Sequence, residues 1–316
     1  MIKKSETKLT SHSLLFPSPI LSPLGKRPRG CPKGGRGRLG EANYEHMKMS
    51  YLLLAFLLAC AGCGEKQKRN NSLYEYDKDE VVSDVVEKTE GSIRILSYNV
   101  RHCAGMDDSI DYERIAGIIN AFNPDYVCLQ ELDSVTTRSA GVNQIELLSE
   151  KTGMYAYFGA AINYGGGKYG IGVLSKNPAL NTATYGLPGK EKRAFLIAEY
   201  PDFLVVSTHL DLEEENRIVS AGIISEKVKS FGKKAFLAGD FNEVSLESET
   251  FKEFNRNWKT VSVIKNTFPT GKPDRCIDYI LTTDADVQIK KTAVIYSLKD
   301  LNVPVASDHY PIFIDF

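Results

Sequence analysis

Chemistry in this chain gathers first at Gly239-Asp240-Phe241-Asn242. The apolar run Ala235-Phe236-Leu237 leads into it, so the stretch reads as a buried strand that ends in polar residues. Residues i and i+2 of an extended backbone face the same way, so Asp240 and Asn242 project together from the strand mouth. Gly239 leaves room there for another group to come close. A carboxylate beside a carboxamide suits a water, a metal or a phosphate oxygen. Such a quartet is equally at home in an ordinary turn, because Asp, Asn and Gly are turn residues. The other strand ends must decide.

Those ends carry matching chemistry. The first strand delivers Asn99, the next Glu131, and a hairpin delivers His209 in Ser207-Thr208-His209-Leu210-Asp211. Asp278 sits inside the apolar stretch Ile277-Asp278-Tyr279-Ile280, and Ser307-Asp308-His309 precedes the last strand. Taken singly, Asn99 reads equally as a turn cap, Glu131 and Asp211 as solvated acids, and His309 as a core histidine. Asp278 resists such a reading most, since a carboxylate inside an apolar strand is costly to bury alone. Brought together, these residues make a pocket of four carboxylates, two amides and two imidazoles. Crowded carboxylates hold their protons unless a cation relieves them. Mg²⁺ does so with oxygen ligands and leaves positions for water and phosphate. Mn²⁺ or Ca²⁺ would meet the same need. Two of the three histidines beyond residue 60 stand at these ends, and His is the usual proton carrier near neutral pH.

The elements that must position these groups follow from the hydrophobic pattern. Strands are expected from Ile93 to Val100, Asp125 to Leu129, Tyr155 to Ala161 and Tyr169 to Ser175, the last two separated by Gly165-Gly166-Gly167. Arg193 to Tyr200 and Phe203 to Thr208 read as a hairpin turning at Pro201-Asp202, and Lys234 to Gly239, Cys276 to Thr282, Val287 to Tyr296 and Tyr310 to Phe316 as further strands. Tyr112, Ile115, Ile118, Ile119 and Phe122 form one apolar stripe, so Asp111 to Phe122 is expected as a helix. Asn143 to Lys151, stopped by Gly153, and an amphipathic stretch from Glu213 to Phe231 are expected as two more. So many strands with so few helices fit two stacked mixed sheets with helices outside.

Six motifs in order resemble the endonuclease/exonuclease/phosphatase superfamily over residues 91–316: Ser97-Tyr98-Asn99-Val100-Arg101, Leu129-Gln130-Glu131, Ser207-Thr208-His209-Leu210, Gly239-Asp240-Phe241-Asn242, Ile277-Asp278-Tyr279-Ile280 and Ser307-Asp308-His309. The resemblance implies an α/β fold, the four-layer α/β/β/α sandwich of two mixed β-sheets known from deoxyribonuclease I. It implies Glu131 as principal metal ligand, supported by Asn99 and Asp308. Asp240 would deprotonate the attacking water or hold a second metal, and Asn242 would hold a phosphate oxygen. His309, oriented by Asp278, and His209 would stabilise the in-line transition state and protonate the leaving oxygen. That division suits phosphoryl transfer, which depends on positioning and charge neutralisation. Arg193 resembles a phosphate-contacting position, and Tyr169 is expected to line the pocket. DNA-repair members carry an acidic ligand where this chain has Arg101, so Arg101 either meets a substrate phosphate or pairs with a nearby carboxylate. Asn-Val-Arg is similar instead to bacterial secreted phosphodiesterase branches.

The flanks bear on setting. Residues 1–46, rich in Pro, Gly, Ser, Lys and Arg without hydrophobic period, are expected to be disordered or upstream of the true start at Met47 or Met49. Residues 47–63 have a positive start, a short apolar run and small residues before Cys60 and Cys63, the layout of an export signal. That run resembles a bacterial lipobox, which implies an exported domain, periplasmic or at the cell surface, held to a membrane by lipid on Cys60 or Cys63. Residues 64–90 then read as a polar tether. Residues 1–59 carry 10 of the 39 Lys and Arg and 3 of the 40 Asp and Glu, so the remainder has a formal net charge of −8. An acidic body lacks the positive footprint of a binder of long nucleic acid. Cys103, Cys128 and Cys276 show no paired spacing and read as buried thiols. The expectation is a monomeric, metal-dependent phosphoesterase. A non-catalytic binding lipoprotein with the same fold, or a secreted nuclease, stands as the alternative.

Overall fold

The computed structural model describes residues 87–316. The upstream segment, the export signal with Cys60 and Cys63, and the tether up to residue 86 lie outside the described residues. Residues 87–90, expected as the tether's end, lie against the body: Lys88 pairs with Asp125, and Thr89 N–H and Oγ1 donate to Asp315 at 3.0 and 3.1 Å.

Among the described residues, twelve strands build two six-stranded sheets. β1 (Arg94–Asn99), β2 (Tyr126–Ser134), β3 (Tyr155–Tyr164) and β4 (Gly167–Ser175) lie in the first. β5 (Asn181–Leu187), β6 (Arg193–Glu199), β7 (Phe203–His209), β8 (Lys234–Asp240), β9 (Lys259–Thr260) and β10 (Asp278–Thr282) form the second. The chain returns to the first with β11 (Lys291–Val294) and β12 (Ile312–Asp315). The orders are β11-β12-β1-β2-β4-β3 and β5-β6-β7-β8-β10-β9. Each sheet has one parallel pair at its centre, β1 with β2 and β7 with β8. The neighbours are antiparallel. Helix α1 (Tyr112–Phe122) links the first pair. α2 (Gln144–Thr152) follows β2, and α3 (Glu214–Ser230) links the second pair. α4 (Glu249–Phe254) and α5 (Val303–Ala306) are short.

Period-two alternation sorts the side chains into two cores. Leu196, Ala198, Val205, Phe236, Ala238 and Ile280 of the second sheet join Cys128 and other residues of the first in one buried cluster. Their neighbours Phe195, Ile197, Leu204, Val206, Leu237, Tyr279 and Leu281 join Ile224 and Val228 of α3 and Phe251 and Phe254 of α4 in another. The expected two-sheet sandwich is the observed architecture.

Several elements differ from the sequence reading. β2 runs past Glu131 to Ser134, because a bulge between Gln130 and Leu132 absorbs one residue and lets pairing resume. β5 was not expected: its Asn-Thr-Ala-Thr-Tyr-Gly stretch is an edge strand with mostly exposed side chains. Of Val287 to Tyr296 only Lys291–Val294 forms a ladder strand. α3 exists but is not amphipathic as expected, for its buried residues include Arg217, Ser220 and Ser225 beside Ala221, Ile224 and Val228. Arg217 Nη2 donates to Glu243 at 3.0 Å and Ser225 Oγ to Ala221 O at 2.7 Å, while Arg217 Nε is buried without a partner.

Candidate active site

Both parallel pairs end at the same rim of the sandwich, and the polar strand ends meet there. Asp240 closes β8 at the centre of the cluster and is 2% exposed. Within its sheet it is the register partner of His209 on one side and Asp278 on the other. Gly239 lies so near β7 that a Cβ there would fall 2.0 Å from Thr208 O, the close approach its residue type foretold. From the opposite sheet, fully buried Asn99 donates through Nδ2 to Asp240 Oδ2 and to Glu131 Oε1, each at 3.1 Å. The site therefore straddles the two sheets.

His309 and Asp278 form a buried dyad, Nδ1 to Oδ2 at 2.9 Å, and Thr267 Oγ1 also donates to that oxygen. The ring's Nε2 lies 3.6 Å from Asp240 Oδ2 and 3.4 Å from Asn99 Nδ2. Burial would lower the imidazolium's pKa, but Asp278 and Asp240 outweigh it and raise it to about 10. His309 is a cation at neutral pH. His209 is the reverse case: burial, Arg193 and His309 hold its pKa well below 6.5, so it is neutral. Asn242 Nδ2 donates to Leu210 O at 3.0 Å and lies 3.1 Å from His209 Nε2, which stands 3.4 Å from Asp240 Oδ2. Burial, with Asp278 and Glu131 adding to it against His309, raises Asp240 to about 7. Glu131, half-buried, is also raised by desolvation and by Asp308, against the hydrogen bond from Asn99.

Asn99 and Arg101 make contacts other than the metal and substrate contacts expected of them, and Asp308 lies near Glu131. Asn99, expected among the metal ligands, turns its oxygen to Arg101 N–H at 3.1 Å and its amide nitrogen to the carboxylates, so it is a donor that draws Glu131 and Asp240 together. Arg101, expected at the substrate, donates to Gly105 O at 2.8 Å and lies 3.6 Å from Asp108, which is the carboxylate pairing of its two readings. Asp308 accepts weakly from Ser307 Oγ at 3.4 Å and stands close enough to Glu131 and His309 for its charge to raise both. Arg193 is 8% exposed; Nη1 bonds Glu191 at 2.9 Å, Nε is buried without a partner, and its charge reaches Glu131, His209 and Tyr169. Tyr169 lies beside Glu131, which with burial pushes its phenol up.

The sequence reading missed the residues that hold this geometry. Glu131 has φ +61° in the bulge, and Arg101, His102 and Cys103 have φ between +43° and +59° in succession. Such conformations are unfavourable for residues with a Cβ and persist only where surroundings enforce them. Gln144, fully buried, supplies the enforcement. Its Oε1 accepts from Asp133 N–H at 2.8 Å, and its Nε2 donates to His102 O at 2.7 Å. One carboxamide thus bridges the two backbones that carry Asn99 and Glu131. Ser307 Oγ adds a latch to Asn99 O at 2.7 Å. A Gln in the first turn of an expected helix carries no signal of this role; only the Ser-Asp-His motif drew attention to Ser307.

A sandwich of two mixed sheets, with acids and imidazoles gathered where the parallel strands end, is the architecture of deoxyribonuclease I-like phosphoesterases. The model of the endonuclease/exonuclease/phosphatase family matches residues 96–309, and the chain belongs to that family. Its members are hydrolases of phosphoester bonds and generally depend on divalent metals. Among solved structures the chain is similar to an endonuclease/exonuclease/phosphatase from Beutenbergia cavernae DSM 12333 (22% identity, 71% of each chain, TM-score 0.58). It is similar to the Bacteroides thetaiotaomicron VPI-5482 mannosyl-6-phosphatase Bt3783 (18% identity, 71% of this chain and 98% of that one, TM-score 0.59). The human Nocturnin catalytic domain with bound sulfate is a further likeness (17% identity, 71% and 92%, TM-score 0.55). No curated protein matches.

Proposed function

We propose that the chain is a Mg²⁺-dependent hydrolase of small phosphoesters, exported and lipid-anchored. The observation that carries the chemistry is the unbroken line Asp278–His309–Asp240–Asn99–Glu131 across both sheets. The donor set fits a hard cation. Asp240, Asp278 and His309 offer ligand atoms within 4.8 Å of one another, but Asp278 is taken up by His309 and Thr267. Glu131 accepts only from Asn99, and crowding raises its proton affinity, the condition a cation relieves. Glu131 and Asp308, with Asp240 beside them, would hold it. When bound, the cation supplies charge neutralisation at the phosphoryl oxygens and a more acidic water.

The chain's own groups do the rest. Asp240, with a proton affinity near neutrality, accepts a proton from the attacking water. Arg193 Nε, buried and unbonded, donates to a phosphate oxygen, and Asn242 Nδ2, with one N–H spent on Leu210 O, offers its other to the same group. His309 holds its proton at Nε2, stabilises charge on the phosphoryl group and gives that proton to the leaving oxygen. Neutral His209 presents Nε2 toward Asp240 and Asn242.

The acidic body favours small phosphoesters over long nucleic acid, and the sugar-phosphate phosphatase among the similar structures supports the same class. The layout of residues 47–63 supports export and anchoring at Cys60 or Cys63. Release of p-nitrophenol from mono- and bis-p-nitrophenyl phosphate, with EDTA and after Mg²⁺, Mn²⁺ or Ca²⁺ readdition, tests the reading. Metal-dependent turnover is expected. Metal-indifferent turnover overturns the metal dependence, and no turnover on phosphomonoesters, nucleotides, phospholipids or DNA overturns the hydrolase reading in favour of a binding protein.

A further inference from the structure

Beyond the phosphoryl site, an aromatic and guanidinium surface continues outward from Glu131. Tyr164 and Tyr169 share one face of the β3–β4 hairpin, since Tyr169 pairs with Ile162 and Tyr164 lies two residues further along the same strand. Their ring centroids are 6.3 Å apart. The Arg138 guanidinium lies over both, 4.5 Å from the Tyr164 centroid and 5.4 Å from that of Tyr169.

This surface is built rather than incidental. Asp133, fully buried, accepts from Arg138 Nε at 2.7 Å and Nη2 at 2.8 Å, and from Thr136 and Ser139. Those bonds fix the guanidinium plane. The hairpin tip is pinned to the same loop, because Thr137 N–H and Oγ1 both donate to Gly165 O, at 2.7 and 2.8 Å. The inner end meets the catalytic carboxylate through Tyr169. The outer end is open: Tyr164 is 43% exposed and the Arg138 side chain 33%. An exposed tyrosine on a pinned hairpin, with its guanidinium neighbour already neutralised, has no evident structural task. A flat polarisable surface beside a phosphoryl site does have a use, which is to stack a ring.

Resting on the phosphoesterase reading above, we propose that Tyr164 and Arg138 form the subsite for the alcohol portion of the substrate, and that this portion is a ring, a sugar or a nucleobase-bearing sugar. Tyr169 separates the subsite from the phosphoryl centre. Lys168, paired with Asn163 on the opposite hairpin face, supplies an internal control.

The test reads phosphate release from glycerol 3-phosphate, phenyl phosphate, a hexose 6-phosphate and a nucleoside monophosphate across wild type, Tyr164→Ala, Tyr164→Phe and Lys168→Ala. Tyr164→Ala is expected to raise KM about tenfold for ring-bearing alcohols with kcat held, and to leave KM for glycerol 3-phosphate, which carries no ring, unchanged. Tyr164→Phe restores wild-type values, and Lys168→Ala changes nothing. The sugar and nucleotide arms tell which ring is preferred. Equal effects on all substrates, no effect, or a loss with Lys168→Ala matching that of Tyr164→Ala overturns the subsite while leaving the hydrolase intact. Absence of turnover in wild type instead fails the underlying hydrolase reading.

Discussion

His309 and His209 are the same residue type a few ångströms from one carboxylate, yet one is held charged and the other neutral. The difference is Asp278, which faces His309 alone, and Arg193, whose charge falls on His209. A single acid inside an apolar strand thus decides which imidazole carries the proton. His309→Ala is expected to lower kcat by about 10²–10⁴, and Asp278→Asn by a similar factor, since it removes the charge that keeps the ring protonated. His209→Gln should cost less, because it retains hydrogen bonding without needing a charge; a single-turnover comparison on p-nitrophenyl phosphate checks the order. Glu131→Gln should abolish Mn²⁺ binding in calorimetric titration as well as turnover, which separates a ligand role from a purely structural one. These residues were legible as a set because their types recur at strand ends. Their division of labour was not, since it depends on neighbours such as Arg193 that lie far off in sequence.

One short stretch of strained backbone follows Asn99 and another holds Glu131, and one helix-opening glutamine joins them. Gln144→Leu leaves Asp133 N–H and His102 O buried without partners, a cost of about 1–3 kcal/mol each. It should lower the melting temperature, and it should weaken Mn²⁺ binding more than Gln144→Glu, which keeps the acceptor for Asp133 N–H. At the other end of β1, Arg94 and Asp315 form a fully buried two-point ion pair, Nε–Oδ1 at 2.6 Å and Nη2–Oδ2 at 2.7 Å. Desolvation opposes it, but Arg94 and Thr89 hold Asp315 below the usual carboxylate range. A depressed folded-state pKa gives stability that is present above the unfolded carboxylate value and is lost as pH falls through the folded one. Asp315→Asn should therefore destabilise at pH 7 by about 3–5 kcal/mol and flatten the acid limb of a denaturation-against-pH curve. A mostly apolar run revealed each of the strands β1, β2, β7 and β8, because both faces of each are buried. It could not reveal β5, whose polar edge residues lack alternation, or the bulge at Glu131, since nothing in Leu-Gln-Glu-Leu marks an extra residue.

At the scale of the molecule, the two sheets are needed because neither alone completes the site: the first brings Asn99 and Glu131, the second His209, Asp240 and Asp278. Anchoring is a separate proposal with its own check. Cys60→Ser and Cys63→Ser, singly and together, should show by fractionation and fatty-acid labelling which thiol is acylated, and loss of both should release the protein. The sandwich was readable from the count of strands against helices, whereas the route back of β11 and β12 into the first sheet was not, for it rests on pairing across two hundred residues.

β1 begins at Arg94, where Lys88 and Thr89 dock, and finishes at Asn99 in the catalytic mouth, so its roughly 20 Å length separates the chain's entry from its chemistry. The chain therefore enters the described fold at the pole opposite Asn99, a full strand's length from the polar rim.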